Sequence, residues 1–225
     1  MAGAALLRLL QLSSPSLPVG AYSYSQGLET AIGDGTVHDA QTARAWIEDN
    51  LREVAAPFDA PLQWRLLRAF AARDAEAVQW WSERWLAARD TAELRAETVQ
   101  MGYSLTQLLK QLHDDSGLLD LLQVQREPAL PAAYACAAAA FGVPPDAALL
   151  GMLYAQTENQ VLVCVKSVPL GQVAGQKLLL ALGPAIERAA QTARALEDDD
   201  LSNWTPMLSL LSMRHEALHG RLYRS

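Results

Sequence analysis

The chain has 225 residues, a formal net charge of −7 and 51% hydrophobic residues. Its acidic balance argues against nucleic acid or an anionic membrane as the main partner, since both need a basic face. The apolar residues are mostly alanine and leucine, which are helix formers, so composition points to an all-α protein long enough to bury about 70% of its unfolded surface.

In chain order, Leu6 to Leu12 predict a short apolar helix that stops before Ser13-Ser14-Pro15. Pro18 and Gly20 interrupt the chain. Ser23 and Gln26, three apart, then fit a capping box opening a helix to Ile32, with Tyr22 and Tyr24 beside it. Gly33-Asp34-Gly35 is a turn. From Asp39, the residues Ala43, Trp46-Ile47, Leu51 and Val54 recur at helical spacing, and Pro57 is expected to end that helix. Leu62, Leu66-Leu67 and Phe70 mark another helix, and Val78, Trp81, Trp85 and Leu86 the next. Asp90 and Glu93 have the capping-box spacing for a helix through Leu112, and Asp114 to Gly117 is a turn. A Leu-rich piece reaches Val124, and an Ala-rich helix runs from about Pro131 to Phe141. Pro144-Pro145-Asp146 starts a helix that includes Val161-Leu162-Val163-Cys164-Val165. That run resembles a buried strand but has no strand partner elsewhere, so it is read as helix. Gly171 to Leu196 is helical with an optional break at Gly183-Pro184; Glu197 to Asp200 is an acidic loop; Trp204 to His219 is the last helix. The expectation is one compact all-α domain of about ten helices over residues 1–225.

Cys136 and Cys164 lie in apolar runs and read as buried inert thiols, which suits a reducing cytoplasm. The first dozen residues lack a basic leader segment, and the longest uncharged run, Pro128 to Pro145, is a poor membrane span. A cytoplasmic protein is expected.

His215-Glu216-Ala217-Leu218-His219 matches H-E-x-x-H, which on a helix places two imidazoles on one face for zinc. A third ligand is not evident, and Leu222 stands where the longer signature wants glycine, so a chance match on a polar helix end is preferred over a zinc hydrolase. Gly171 to Lys177 has the wrong glycine spacing for a phosphate loop. His38 and His113 stand alone. The closing residues carry Arg214, Arg221, Tyr223 and Arg224, types favoured at interfaces, although a solvated end accounts for them equally well.

Four separated stretches, in order, resemble the urease accessory protein F family. They are Leu17 to Glu29; Glu93 to Glu97 with Met101-Gly102; Val165 to Gln172 with Gly175-Gln176; and Ser212 to Glu216 through Arg221 to Ser225. The resemblance implies an all-helical, usually dimeric protein that is not an enzyme. It would join a second accessory protein, called D or H, and the pair would recruit the accessory GTPase, protein G. The assembly would dock on apo-urease and couple GTP hydrolysis to nickel delivery, with nickel and GTP handled by the partners and no cofactor held here.

By the same resemblance, Arg214, His215, Glu216, Arg221, Tyr223 and Arg224 contact the D/H protein. Tyr22, Ser23, Tyr24, Gln26 and Glu29 meet that protein or the twin subunit. Lys166, Gln172 and Gln176 present a face to the GTPase or serve internally, and Glu93, Arg95 and Glu97 are read as helix-start charges. His219 departs from the family pattern. Removing Arg221 to Ser225 is expected to leave a folded chain that no longer binds D/H. A generic helical adaptor unrelated to urease is the other alternative.

Overall fold

A computed structural model describes residues 2–112 and 116–225. The described residues contain helices and no strand: α1 (Gly3–Leu12), α2 (Leu28–Gly33), α3 (Ala40–Asp49), α4 (Ala60–Ala72), α5 (Ala75–Ala87), α6 (Ala92–Gln111), α7 (Leu118–Gln123), α8 (Leu130–Ala140), α9 (Pro145–Ser167), α10 (Gln172–Ala195) and α11 (Pro206–His215). A π-helical segment, Asn50–Asp59, joins α3 to α4, so 40–72 is one rod and the rods number ten. The all-α expectation holds. His113 and the first two residues of the expected Asp114–Gly117 turn, Asp114 and Asp115, lie outside the described residues.

The core is built around α8. Its residues Pro131 to Ala138 are all buried, so this helix is enclosed on every side rather than amphipathic. Small side chains let its neighbours come close. Gly102 on α6 faces the backbone before α8 so tightly that a Cβ there would lie 2.1 Å from the Pro128 carbonyl oxygen. Phe70, Leu62, Leu66 and Leu67 of α4 fill the other flank. The long helices α9 and α10 pack side by side, and α1 crosses α9 where Gly151 leaves room for Leu9.

Several boundaries differ from the sequence reading, each for a physical reason. Pro57 does not end a helix: the wider π turn accommodates a residue with no amide hydrogen, and the rod continues. The α10 helix runs on as read, and the optional break at Gly183-Pro184 is not taken: the acceptor that Pro184 cannot serve belongs to Leu180, which lies on the exposed face. The Val161–Val165 run is helical as read. The Asp39 start is confirmed, with Asp39 and Thr42 forming a reciprocal capping box.

The two capping boxes expected at Ser23–Gln26 and Asp90–Glu93 are absent. Tyr22 and Ser23 lie in a 3-10 turn, Ala21–Ser23, and α2 starts only after Gly27, which sits at φ 79°. The cap of α6 is Thr91, whose hydroxyl accepts from the Leu94 amide, and this frees Glu93 to point elsewhere. The last helix stops at His215 rather than His219.

Candidate functional site

The side chains that the four sequence stretches single out converge where α11 and the closing residues 216–225 cross the beginnings of α2 and α6. Glu29 stands in the first turn of α2 and Glu93 in the first turn of α6, positions where the helix dipole favours a carboxylate. Between them lies His215, whose side chain is fully buried. Its Nε2 is 2.8 Å from Glu29 Oε2, and its Nδ1 is 2.8 Å from Glu93 Oε2.

The same carboxylates hold the closing residues. Glu29 also accepts from the Leu222 amide at 2.7 Å and the Tyr223 amide at 3.1 Å. Glu93 Oε1 accepts from Arg221 at 2.6 Å. One helical turn further, Glu97 accepts from the Ser225 hydroxyl and from Gln26 Nε2, both at 2.7 Å. Gln26 reaches it from a left-handed backbone (φ 55°), a conformation that disfavours a side chain and is held here by its surroundings.

Backbone bonds complete the closure. The Arg224 amide donates to the Ser23 carbonyl, and the Ser25 amide and hydroxyl both donate to the backbone oxygen of Ser225. Thr30 donates to the Leu211 carbonyl, and the Thr91 and Ser212 hydroxyls meet at 2.8 Å. On the surface, Arg214 forms a two-pronged pair with Asp34.

Burial pushes the Glu97 carboxyl up to about 7, although its bonds from Ser225 and Gln26 pull the other way. Burial also raises the Tyr24 hydroxyl, with the Arg224 guanidinium beside it acting in the opposite sense.

The candidate residues therefore divide. Tyr24, Glu29, His215 and Tyr223 are buried or largely so and tie the chain to itself; Ser23 and Gln26 are half-buried in the same closure. Tyr22, Arg214, Glu216, Arg221 and Arg224 are exposed around its rim. Lys166, Gln172 and Gln176 are exposed elsewhere, where α9 ends and α10 begins. Nothing brings them to the closure.

Glu97 was read as a helix-start charge but is 3% exposed and central. Its place in the stripe Glu97, Thr98, Met101 and Leu105, which faces the core, is the sequence signal for that. Ser25, Asp34 and Ser225 carried no signal of their own.

The H-E-x-x-H motif does not form a metal face. The helix ends at its first histidine, both nitrogens of His215 already face carboxylates, and His219 is exposed beyond a turn. Among the described residues, no group of histidine, cysteine and acidic side chains is arranged to hold a metal ion.

Outside the closure, α11 turns an apolar side to solvent. Trp204 is 82% exposed, and Met207, Leu210 and Met213 follow it at helical spacing, while Leu211, Ser212 and His215 are buried on the opposite side. Leu222 on the closing segment is also exposed. No helix among the described residues is long and apolar enough to cross a membrane.

A family model described as UreF matches residues 37–183. The protein named urease accessory protein UreF of Janthinobacterium sp. (strain Marseille) is 64% identical over 226 residues, covering 100% of both chains. Proteins of the same name from Nitrosospira multiformis and Azoarcus sp. (strain BH72) are 54% and 51% identical, each over 98% of this chain and over 98% and 95% of their own lengths. The family match takes in Glu93 and Glu97 of α6 but leaves out α2 and the closing residues; the full-length relatives span all of them.

Proposed function

Because this chain belongs to the UreF family of urease accessory proteins, we propose that it is a non-enzymatic maturation factor that bridges the accessory protein D/H and the accessory GTPase G on apo-urease. In this reading GTP hydrolysis on the partner is coupled to nickel delivery, the chain acts as a homodimer in the cytoplasm, and neither nickel nor nucleotide is held as its own cofactor.

The observation that carries the reading is the apolar outer side of α11. Trp204, Met207, Leu210 and Met213 recur at a spacing of three residues with their side chains exposed, and apolar surfaces of this kind mark protein contacts. Arg214, Arg221 and Arg224 rim it with directed donors, as at interface hot spots. The D/H protein is assigned to this surface. The GTPase is assigned to the separate exposed group of Lys166, Gln172 and Gln176.

The test is capture of the cognate D/H protein by a Met207→Asp, Leu210→Asp double variant. Both side chains point to solvent, so the thermal midpoint stays within a few degrees of the parent while capture is lost. Undiminished capture by a folded double variant sinks the assignment. In cells carrying the cognate urease operon, deletion of the gene abolishes urease activity and urease-bound nickel, and Glu216→Gln restores both. Unchanged activity in the deletion would leave the generic adaptor as the better account.

A further inference from the structure

A neutral imidazole offers one N–H and one bare lone pair. His215 is set between two carboxylate oxygens at 2.8 Å on either side, with no room for water at its fully buried ring. If only one nitrogen carried hydrogen, the other would press its lone pair against an acceptor. A ring protonated at both positions donates to both, and the arrangement then balances: the carboxylates of Glu29 from α2 and Glu93 from α6 face the imidazolium and Arg221. Loss of the ring proton leaves an excess negative charge in a site with little solvent, which is strongly unfavourable.

The atoms that suffer this imbalance also hold the closing segment. Glu29 Oε2 takes both the His215 ring and the Tyr223 amide, and Glu93 binds Arg221 with its other oxygen. The remaining charged groups do not compensate. On α11 itself Arg214 is committed to Asp34 at the surface, and Glu216 and His219 are exposed. One turn along α6, Glu97 lies under Ser225, with Arg89 and Asp59 opposing one another at longer range.

We propose that residues 216–225 are a proton-dependent strap, clamped across α2 and α6 while His215 carries hydrogen on both ring nitrogens and released when one is lost. Glu97 works in the same direction, because its carboxyl, held near 7 by burial, becomes an anion beneath Ser225 as the solution turns alkaline. Rising pH thus adds negative charge under the strap at two places. This inference concerns the isolated chain and is independent of which partner covers α11.

The experiment uses the full-length, nitrogen-15-labelled chain between about pH 6 and pH 9. Imidazole nitrogen shifts report the protonation of His215, its signal being the one missing from His215→Gln. Amide exchange at Leu222, Tyr223 and Arg224, corrected for the intrinsic rate, reports the strap. The expected result is an imidazolium at the acid end, and strap protection that falls by up to about tenfold per pH unit as the solution turns alkaline, levelling off once the closed form has itself lost the proton. Exchange in α9 stays constant once corrected. A neutral single tautomer at the acid end, or strap protection that stays flat across the whole range, overturns the proposal. Should His215→Gln unfold, glutamine at the other three histidines, His38, His113 and His219, leaves the His215 imidazole as the one signal to follow.

Discussion

Replacing Glu97 by glutamine isolates the energetic consequence of burying a carboxyl under the end of the chain. The folded protein holds the Glu97 proton to about pH 7, against an ordinary value of 4.5. Between those limits the folded state binds more protons than the unfolded state, so stability is full below the lower value and declines as pH rises through the upper one. A gap of about 2.5 units corresponds to roughly 3 kcal/mol. Glutamine keeps the shape and both neighbours: its oxygen accepts from Gln26, and its amide donates to the Ser225 hydroxyl. The variant therefore lacks the decline. At about 2–4 °C per kcal/mol for a chain of this size, the difference in thermal midpoint between variant and wild type should grow by about 6–12 °C from pH 5 to pH 8, in favour of the variant. Scanning calorimetry at matched ionic strength measures this, and groups common to both chains cancel in the difference. Parallel curves for the two proteins would refute the reasoning.

Removing residues 221–225 strips Glu29, Glu93 and Glu97 of donors and uncovers the site of the buried Tyr223, so it should destabilise the fold by at least about 3 kcal/mol in thermal or urea unfolding. An unchanged midpoint would show the closure to be energetically idle. Gly102→Ala drives a methyl group into the Pro128 carbonyl and should cost about 1–3 kcal/mol or more, read as a lowered urea midpoint; a neutral effect would mean α6 and α8 separate freely. Burial pushes the Cys164 thiol up to about 12, and Cys136 is also buried, so neither should react with maleimide at about pH 8 until the chain is unfolded.

The helical class and most rods were legible from apolar spacing, which is local: Ala43, Ile47 and Leu51 lie on one face whatever else the chain does. The errors share a cause. Ser23 and Gln26 have the right spacing for a cap, but Gln26 is drawn to Glu97, 71 positions away, and the helix starts later. Glu93 looks like a capping residue until Arg221 and His215 arrive from the other end of the sequence. Pro57 was weighed for its effect on an isolated helix, whereas the π turn absorbs that effect. The resemblance singled out Glu29 and His215 as partner contacts, and the fold has them bonded to each other. Spacing had no means of showing that they partner each other.

The removal experiment also bears on an expectation drawn from the resemblance. Loss of binding on removing residues 221–225 was to identify a docking segment in a chain left otherwise folded. With Tyr223 buried and three carboxylates dependent on those residues, such a loss would report damage to the fold as readily as loss of contact. Point changes on the outer side of α11 separate the two.

The bond between Ser25 and Ser225 spans 200 positions of sequence. A growing chain makes Glu29, Glu93 and Glu97 long before the residues that neutralise and cover them, so α2 and α6 wait with acidic ends unsatisfied until residues 215–225 have been made. The helical rods, stabilised by near neighbours, can assemble earlier. The joining of residues 215–225 to α2 and α6 is therefore a late step of folding, and a chain lacking residues 221–225 is detectable by its uncovered α2 and α6 carboxylates even when every helix has formed.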